Sequence, residues 1–503
     1  MIRDAFNQTE FLDFHLPFGG RLRADNRWVE LSKLIPWLLV EELYTEKLSS
    51  DRGAPAISSR MAFGALFLKE YLTTTDRGVV EQISENPYLQ YFLGLDEFVE
   101  HCPFDASMMV HFRKRFGSDL LSKINEQIVA LEQQKQKDKN ASGKKPKPDS
   151  DDDSPATGIK SDDNDGKLLI DATCTPADIR YPTDLSLLNE AREKLEKIID
   201  CLYEPLKGKI KKPRTYRQKA RKLFVRAIRS AGKKNVPKSI GQQLRFVRRD
   251  LGHIKRIIDK EGASLSTLSR KLYKNLLVIH TLYEQQRFMY ENRIRRVENR
   301  IVSIHQPHVR PIIRGKAKQA VEFGAKISLS LTKGYAFLDR LNWDAYNEVE
   351  DLRSQAEAYR RRFGVYPKVI CADQIYRSRS NRRWCNEQGI RLSGLGPGRP
   401  PKDKILRKGN IAQARQDEIQ RIPIEGKFGQ AKRRFCLERV MTKLAQTSEC
   451  VVAMVIIVMN LIKILCVFMR NSLFGLKNWI SQQIMYCVAF LGLVSHQKNK
   501  RLI

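Results

Sequence analysis

The stretch that decides the reading is residues 167–184, KLLIDATCTPADIRYPTD. A lysine leads into the apolar run Leu168-Leu169-Ile170, the run ends on the carboxylate of Asp171, and small and turn-forming residues follow. A short apolar run closed by turn signals predicts a buried strand, here one that delivers a single acid to the edge of a sheet. A lone aspartate at a strand end is also what a capping residue looks like. Its meaning therefore depends on partners elsewhere in the chain.

Immediately upstream, residues 133–166 pass from a Lys-rich half (QKQKDKNASGKKPKP) to an acidic half (DSDDDSPATGIKSDDNDG). Almost nothing there can be buried, so a disordered charged linker is expected, with a domain boundary just before Lys167. Residues 1–132 alternate helical patterns with short breaks. SSRMAFGALFLKEYL (58–72) has Ser58 or Ser59 as a cap, 75–95 breaks at Asn86-Pro87, and FDASMMVHFRKRFG (104–117) ends at Gly117. This predicts an all-helical N-terminal domain, for DNA binding or for packing and dimerisation.

Downstream, YPTDLSLLNEAREKLEKIIDCLYEPL (181–206) opens a helix with Thr183 or Asp184 as N-cap. Residues 207–234 carry 13 Lys or Arg and no acid, and 240–298 reads as long amphipathic helices. Together they predict a basic helical insertion over 185–300, whose one-sided charge suits phosphate contacts. From Ile301 the pattern turns to strands. Residues 311–343 show period-2 stretches separated at Gly324 and at the Lys333-Gly334 turn. A helix over 345–364 follows, then YPKVICADQIY (366–376), a short strand that ends in Asp373. A helix over 378–389, a strand or loop at IRLSGLGP and the loop GPGRPPKD (396–403) lead to a helix containing IEGKFGQAKRRF (424–435).

Ninety Lys and Arg stand against 57 Asp and Glu in 503 residues, a net charge of +33. So basic a chain points to a polyanion, and for its size to nucleic acid. Nine cysteines are scattered without a CxxC pair, which argues against a zinc ribbon or a redox motif and for reduced thiols in the cytoplasm. The opening MIRDAFNQTEF has charge but no apolar run, so no signal peptide is expected. Val451–Phe468 is apolar enough to raise a membrane question, but Asn460 and Lys463 interrupt it. A lysine near the middle of a span is costly, so a buried core helix is expected and no membrane.

Two aspartates at the ends of short strands can converge on one sheet edge, and Glu425 on a following helix can face them. Three converging carboxylates repel one another unless cations sit between them. Such hard oxygen ligands suit Mg²⁺ or Mn²⁺, and two ions can activate a water and stabilise the leaving oxygen of a phosphodiester. Strand–Asp171, CADQIY with Asp373 and RIPIEGKFGQAKRRF with Glu425 resemble the DDE transposases of bacterial insertion sequences. The resemblance extends to the preceding helices and covers most of 1–470. Members often carry Tyr-x2-Arg-x3-Glu-x6-Lys around the third acid; Arg421, Glu425 and Lys432 match, and Glu418 stands at the Tyr position.

The resemblance implies an α+β chain: an RNase H-like mixed sheet flanked by helices (167–470) interrupted by the insertion, with a C-terminal helical tail over 471–503. It implies Asp171, Asp373 and Glu425 as catalytic metal ligands for two Mg²⁺ or Mn²⁺ ions. It also implies Arg421, Lys432, Arg433 and Arg434 on DNA, with Trp384 stacking on a base or half-buried as packing. The expected partners are double-stranded DNA (terminal inverted repeats and target) and further copies of the chain as a dimer, in a bacterial cytoplasm at the nucleoid. Alternatives are a nuclease of the same fold that does not join strands, and an inactive basic DNA-binding protein.

Among rival acids, Asp178 falls in a loop, Asp184 has a capping explanation, and Asp339 ends the strand-like GYAFLD; Glu418 and Glu438 are expected as surface charges. Pro423 favours a first turn, which places Arg421 at or before the start of its helix.

Overall fold

The structure is a computed structural model that describes residues 13–16, 19–46, 48, 56–142, 166–229, 236–313, 321–399 and 401–469. The chain opens with α1 (Arg27–Leu34), α2 (Trp37–Thr45), α3 (Ser59–Leu72), α4 (Asp76–Glu85), α5 (Pro87–Phe92), α6 (Met108–Arg115) and α7 (Ser118–Ser142). Their starts follow from the sequence. Asn26, Ser58, Thr75 and Asn86 each accept a hydrogen bond from a first-turn N–H, and Pro87 occupies a first-turn position whose N–H needs no partner. Helix α7 continues into the stretch expected as linker; the rest of that linker and the tail over 471–503 lie outside the described residues.

Strand β1 (Lys167–Pro176) is followed by the insertion: α8 (Asp184–Tyr203), α9 (Arg217–Arg229), α10 (Val236–Asp259) and α11 (Arg270–Glu291). The insertion has its own core, with Leu195 and Ile199 of α8, Val247 and Ile254 of α10, and Ile279 and Leu282 of α11 all buried. Thr183 caps α8 in a reciprocal capping box with Ser186. The chain then gives β2 (Arg310–Ile313), β3 (Val321–Thr332), β4 (Tyr335–Asn342), α12 (Asp351–Phe363), β5 (Val369–Ala372), α13 (Arg379–Glu387), β6 (Arg391–Leu392), α14 (Lys404–Arg434) and α15 (Ala445–Met469).

The sheet runs β2-β3-β1-β5-β6, with β4 also paired to β3. β3 pairs antiparallel with β1, β2 and β4, and β5 and β6 run parallel to β1. This mixed sheet flanked by helices is the α+β, RNase H-like arrangement. Lys333 and Gly334, both at positive φ (51° and 76°), make the tight turn of the β3–β4 hairpin.

Two expectations are corrected here. β1 does not end at Asp171: the β-branched Thr173 and Thr175 carry it on to Pro176 against β3. Only its pairing with β5 stops at Ile170. Nor is Gly324 a break. It lies in β3 opposite Pro176, where a Cβ would collide with the Thr175 carbonyl oxygen.

Alternation along β1 and β5 sorts their side chains between two layers. Leu168, Ile170, Ile370 and Ala372 pack under α12 with Leu352, Ala356 and Tyr359. Leu169 and Cys371 face the opposite side, joining Ile424 and Phe428 of α14 and the apolar length of α15. That second cluster also takes in Phe63, Phe67, Phe92 and Phe116 of the N-terminal helices, so they share a core with the sheet. At its centre Asn460 donates to Asn125 Oδ1 (2.9 Å) and Ala336 O (2.8 Å) and accepts from Ala336 N (2.9 Å). Lys463 reaches the Lys333 carbonyl and lies over the Tyr335 ring. The two polar residues that interrupt the apolar run thus tie it to the hairpin. Among the described residues α15 is the one helix long and apolar enough to cross a membrane, and 78% of its apolar window is buried inside the protein.

Candidate active site

Parallel pairing aligns Ile170 with Ala372, so Asp171 and Asp373 are the next residues on adjacent strands. By alternation both side chains follow Leu169 and Cys371 toward the α14 face of the sheet. Asp171 is mostly covered, its side chain 17% exposed, and its Oδ1 accepts from Ala172 N at 2.8 Å. Asp373 is exposed and its Oδ1 accepts from Gln374 N at 2.7 Å. Burial pushes the Asp171 carboxyl up to about 6; the charges of Asp373 and Glu348 push the same way, while the Ala172 N–H and Arg421 oppose.

Helix α14 is anchored over these aspartates by Asp417. That buried carboxylate takes both ends of the Arg391 guanidinium, at 2.8 Å each, and the Gly394 N–H at 3.0 Å. One turn on, Arg421 points at the strand acids, with Nη1 3.2 Å from Asp171 Oδ2 and Nη2 2.5 Å from Glu425 Oε1. Glu425 is about half exposed. Glu418 lies 3.6 Å from Arg421 Nε and accepts from Arg377 Nη2 at 2.6 Å. Arg377 in turn donates to the Ala372 carbonyl beside Asp373.

The helix start is a correction to the sequence reading. Pro423 lies inside α14, and Arg421 is well within the helix. The proline leaves the Ile419 carbonyl without its usual donor, and both residues face solvent, where water replaces the lost bond.

The expected residues separate into those brought together and those elsewhere. Asp171, Asp373, Arg421 and Glu425 meet; Arg421 bridges carboxylates rather than standing free for phosphate. Lys432 is half-buried farther along α14, and Arg433 and Arg434 are exposed at its end, Arg434 over the Phe435 ring. Trp384 is half-buried against the α12-side core, its ring edge-to-face with Tyr366. The rival acids have other work. Asp178 pairs with Arg439 and Lys443, Asp184 with Arg300, and the buried Asp339 with Arg362. Glu438 is exposed.

Glu348 was not foreseen. It pairs with Lys326 at 2.8 Å, lies close enough to raise Asp171, and sits in a short turn with no motif to mark it.

Among the described residues no three acidic, histidine or cysteine side chains form a ready-made metal cage. The donor chemistry nevertheless suits a hard cation. Asp171 is a desolvated carboxylate beside a second, and a guanidinium, not a proton donor of neutral charge, fills the space between it and Glu425.

Two family models match the chain: a transposase DDE domain over residues 370–462, which spans Asp373 and Glu425, and a second transposase domain over 17–115, which spans α1 to α6. Over these two stretches the chain is similar to DDE transposases. Neither match reaches Asp171, whose place beside Asp373 comes from the strand register. An uncharacterized protein from the nfe locus of Rhizobium meliloti is 29% identical over 203 residues, which is 40% of this chain and 84% of that protein. No solved structure matches the chain at a significant level.

Proposed function

We propose that the chain binds the terminal inverted repeats of an insertion sequence, cuts the DNA at its ends and joins the 3′-hydroxyls to target DNA, acting as a dimer at the bacterial nucleoid. The observation that carries this is the side-by-side placement of Asp171 and Asp373, on the sheet face covered by Arg421 and Glu425. In this reading Asp171, Asp373 and Glu425 are the ligands of two divalent cations. Bound there, Mg²⁺ or Mn²⁺ supplies Lewis acidity for a water or hydroxyl nucleophile and for the leaving oxygen. Arg421 shields the carboxylates from one another until cations and DNA arrive, then turns to a backbone phosphate. Lys432, Arg433 and Arg434 extend that basic face along α14, and the exposed basic side of α9 adds sequence-independent affinity. The helices of 1–132 hold the repeat.

The test is gel shift and cleavage on the DNA that flanks the chain's own gene, with and without Mg²⁺. Asp171→Asn, Asp373→Asn and Glu425→Gln should each lower cleavage and joining by about a thousandfold or more while end binding persists. Full activity in any one of them overturns its assignment. Pre-cleaved ends that are never joined would leave a nuclease of the same fold instead.

A further inference from the structure

Helix α14 is supported very differently along its length. From Ile424 onward it is seated by apolar side chains, with Ile424, Phe428 and Ala431 buried in the core shared with α15. Residues 404–413, by contrast, are exposed throughout, Ile405 to 81%. Among the described residues, every hydrogen bond and ion pair from 404–422 to the body of the protein falls in the turn 417–421.

Asp417 is the one buried residue of 404–422. Its carboxylate takes the two Arg391 donors and the Gly394 N–H already described, and Gln413 Nε2 of its own helix at 3.1 Å. Burial alone would raise this carboxyl, but those donors hold it below the ordinary range, so the clasp to β6 is a charged one at neutral pH. Between the clasp and the apolar seat stands Pro423. A proline there lacks the N–H and crowds the Ile419 carbonyl, which makes it the place where the helix bends most readily. Gly426, where an added Cβ would meet open space, weakens the following turn as well. Arg421 spans this joint, bonded to Asp171 on the strand and to Glu425 on the far side of the proline. A guanidinium stands roughly 6 Å from the helix axis, so a tilt of about 20° moves it by about 2 Å, enough to break a contact of 3.2 Å.

We propose, resting on the catalytic reading above, that α14 is jointed at Pro423 and that Asp417 and Arg391 are positioning residues for the site. Their clasp holds the arm 404–422 where Arg421 occupies the space between Asp171 and Glu425. Loosening the clasp tilts the arm and withdraws the arginine, which leaves the acids free.

The experiment uses the full chain without metal, carrying nitroxides on keto-bearing residues placed at Ile411 on the arm and Glu357, exposed on α12. Double electron–electron resonance reads the distance between them. Ile411 lies roughly 18 Å from the joint, so the same tilt displaces it by about 6 Å. Asp417→Asn should therefore add a second, displaced population. Arg391→Gln should do the same from a side chain 42% exposed, which the fold can spare. Pro423→Ala restores the missing helix hydrogen bond and should suppress that population in the Asp417→Asn protein. In a separate titration, Asp417→Asn should tighten Mn²⁺ binding about threefold, and should change nothing when Arg421→Gln is already present. Unchanged distances in both clasp variants, or the same Mn²⁺ change with and without Arg421, overturn the proposal. Failure of the catalytic reading shows separately, as no Mn²⁺ bound by any variant while the distance response to the clasp variants persists.

Discussion

Two clusters of charge are folded into this chain, and they are balanced differently. In the insertion, Glu193, Glu196, Asp200 and Asp250 meet Arg192, Arg217, Arg249 and Lys212, four carboxylates against four cations. At the sheet edge, among the described residues, Asp171, Asp373, Glu418 and Glu425 meet only Arg421 and Arg377, while Glu348 is matched by Lys326. A balanced network holds helices together. A network two charges short has room for cations, as the proposed function requires, although both clusters contain a carboxylate with a raised pKa.

The comparison can be broken by mutation. Arg192→Ala should cost about 3 kcal/mol, because it leaves the buried Glu196 with only the more distant Arg217 among the described residues; urea unfolding followed by circular dichroism measures it. No loss would mean that the insertion is not held by its ion pairs. Asp171→Asn should act in the opposite direction. The folded carboxyl titrates at about 6, above the ordinary 3.8, so the folded state binds its proton more tightly. Stability is therefore lost as pH rises from about 4 to 6, and by neutral pH the ionised, metal-free form is less stable by up to about 3 kcal/mol. The asparagine variant should regain part of that at pH 7 in EDTA and nothing near pH 4. A variant that is equally destabilised at both pH values would show Asp171 to be structural.

The smallest effect concerns Arg421. Arg421→Gln removes the cation already lodged between Asp171 and Glu425. Mn²⁺ binding to the DNA-free protein, followed by electron paramagnetic resonance, should tighten about fivefold, roughly 1 kcal/mol. Unchanged or weaker binding would show that the arginine does not compete for that space.

Much of this was legible in the sequence. Asp171 and Asp373 each close an apolar run, and Glu425 falls in a motif with fixed spacing. The caps at Ser58 and Thr183 and the Lys333-Gly334 turn are local signals that the fold kept. What escaped was set by distant contacts. β1 runs past Asp171 because β3 pairs with it, and β3 is more than a hundred residues away. Pro423 sits inside α14 because its outer face meets only water. The contact of Arg421 with Asp171 at 3.2 Å escaped because nothing local reveals that strand register brings the two together. Asp417, which fixes the height of α14 above the sheet, belongs to no motif.

The hydrogen bonds joining Asn125, Asn460 and Ala336 carry a consequence for modularity. They link α7, α15 and β4, and the apolar residues around them come from both the first and the last described parts of the chain. Helix α15 would lose cover on one flank if the leading helices were removed, exposing a length of Val, Ile and Met side chains to water. The leading region is therefore no detachable cassette. It cannot be exchanged for another specificity element by cutting at a linker; a functional swap must carry a matching Asn125 surface with it.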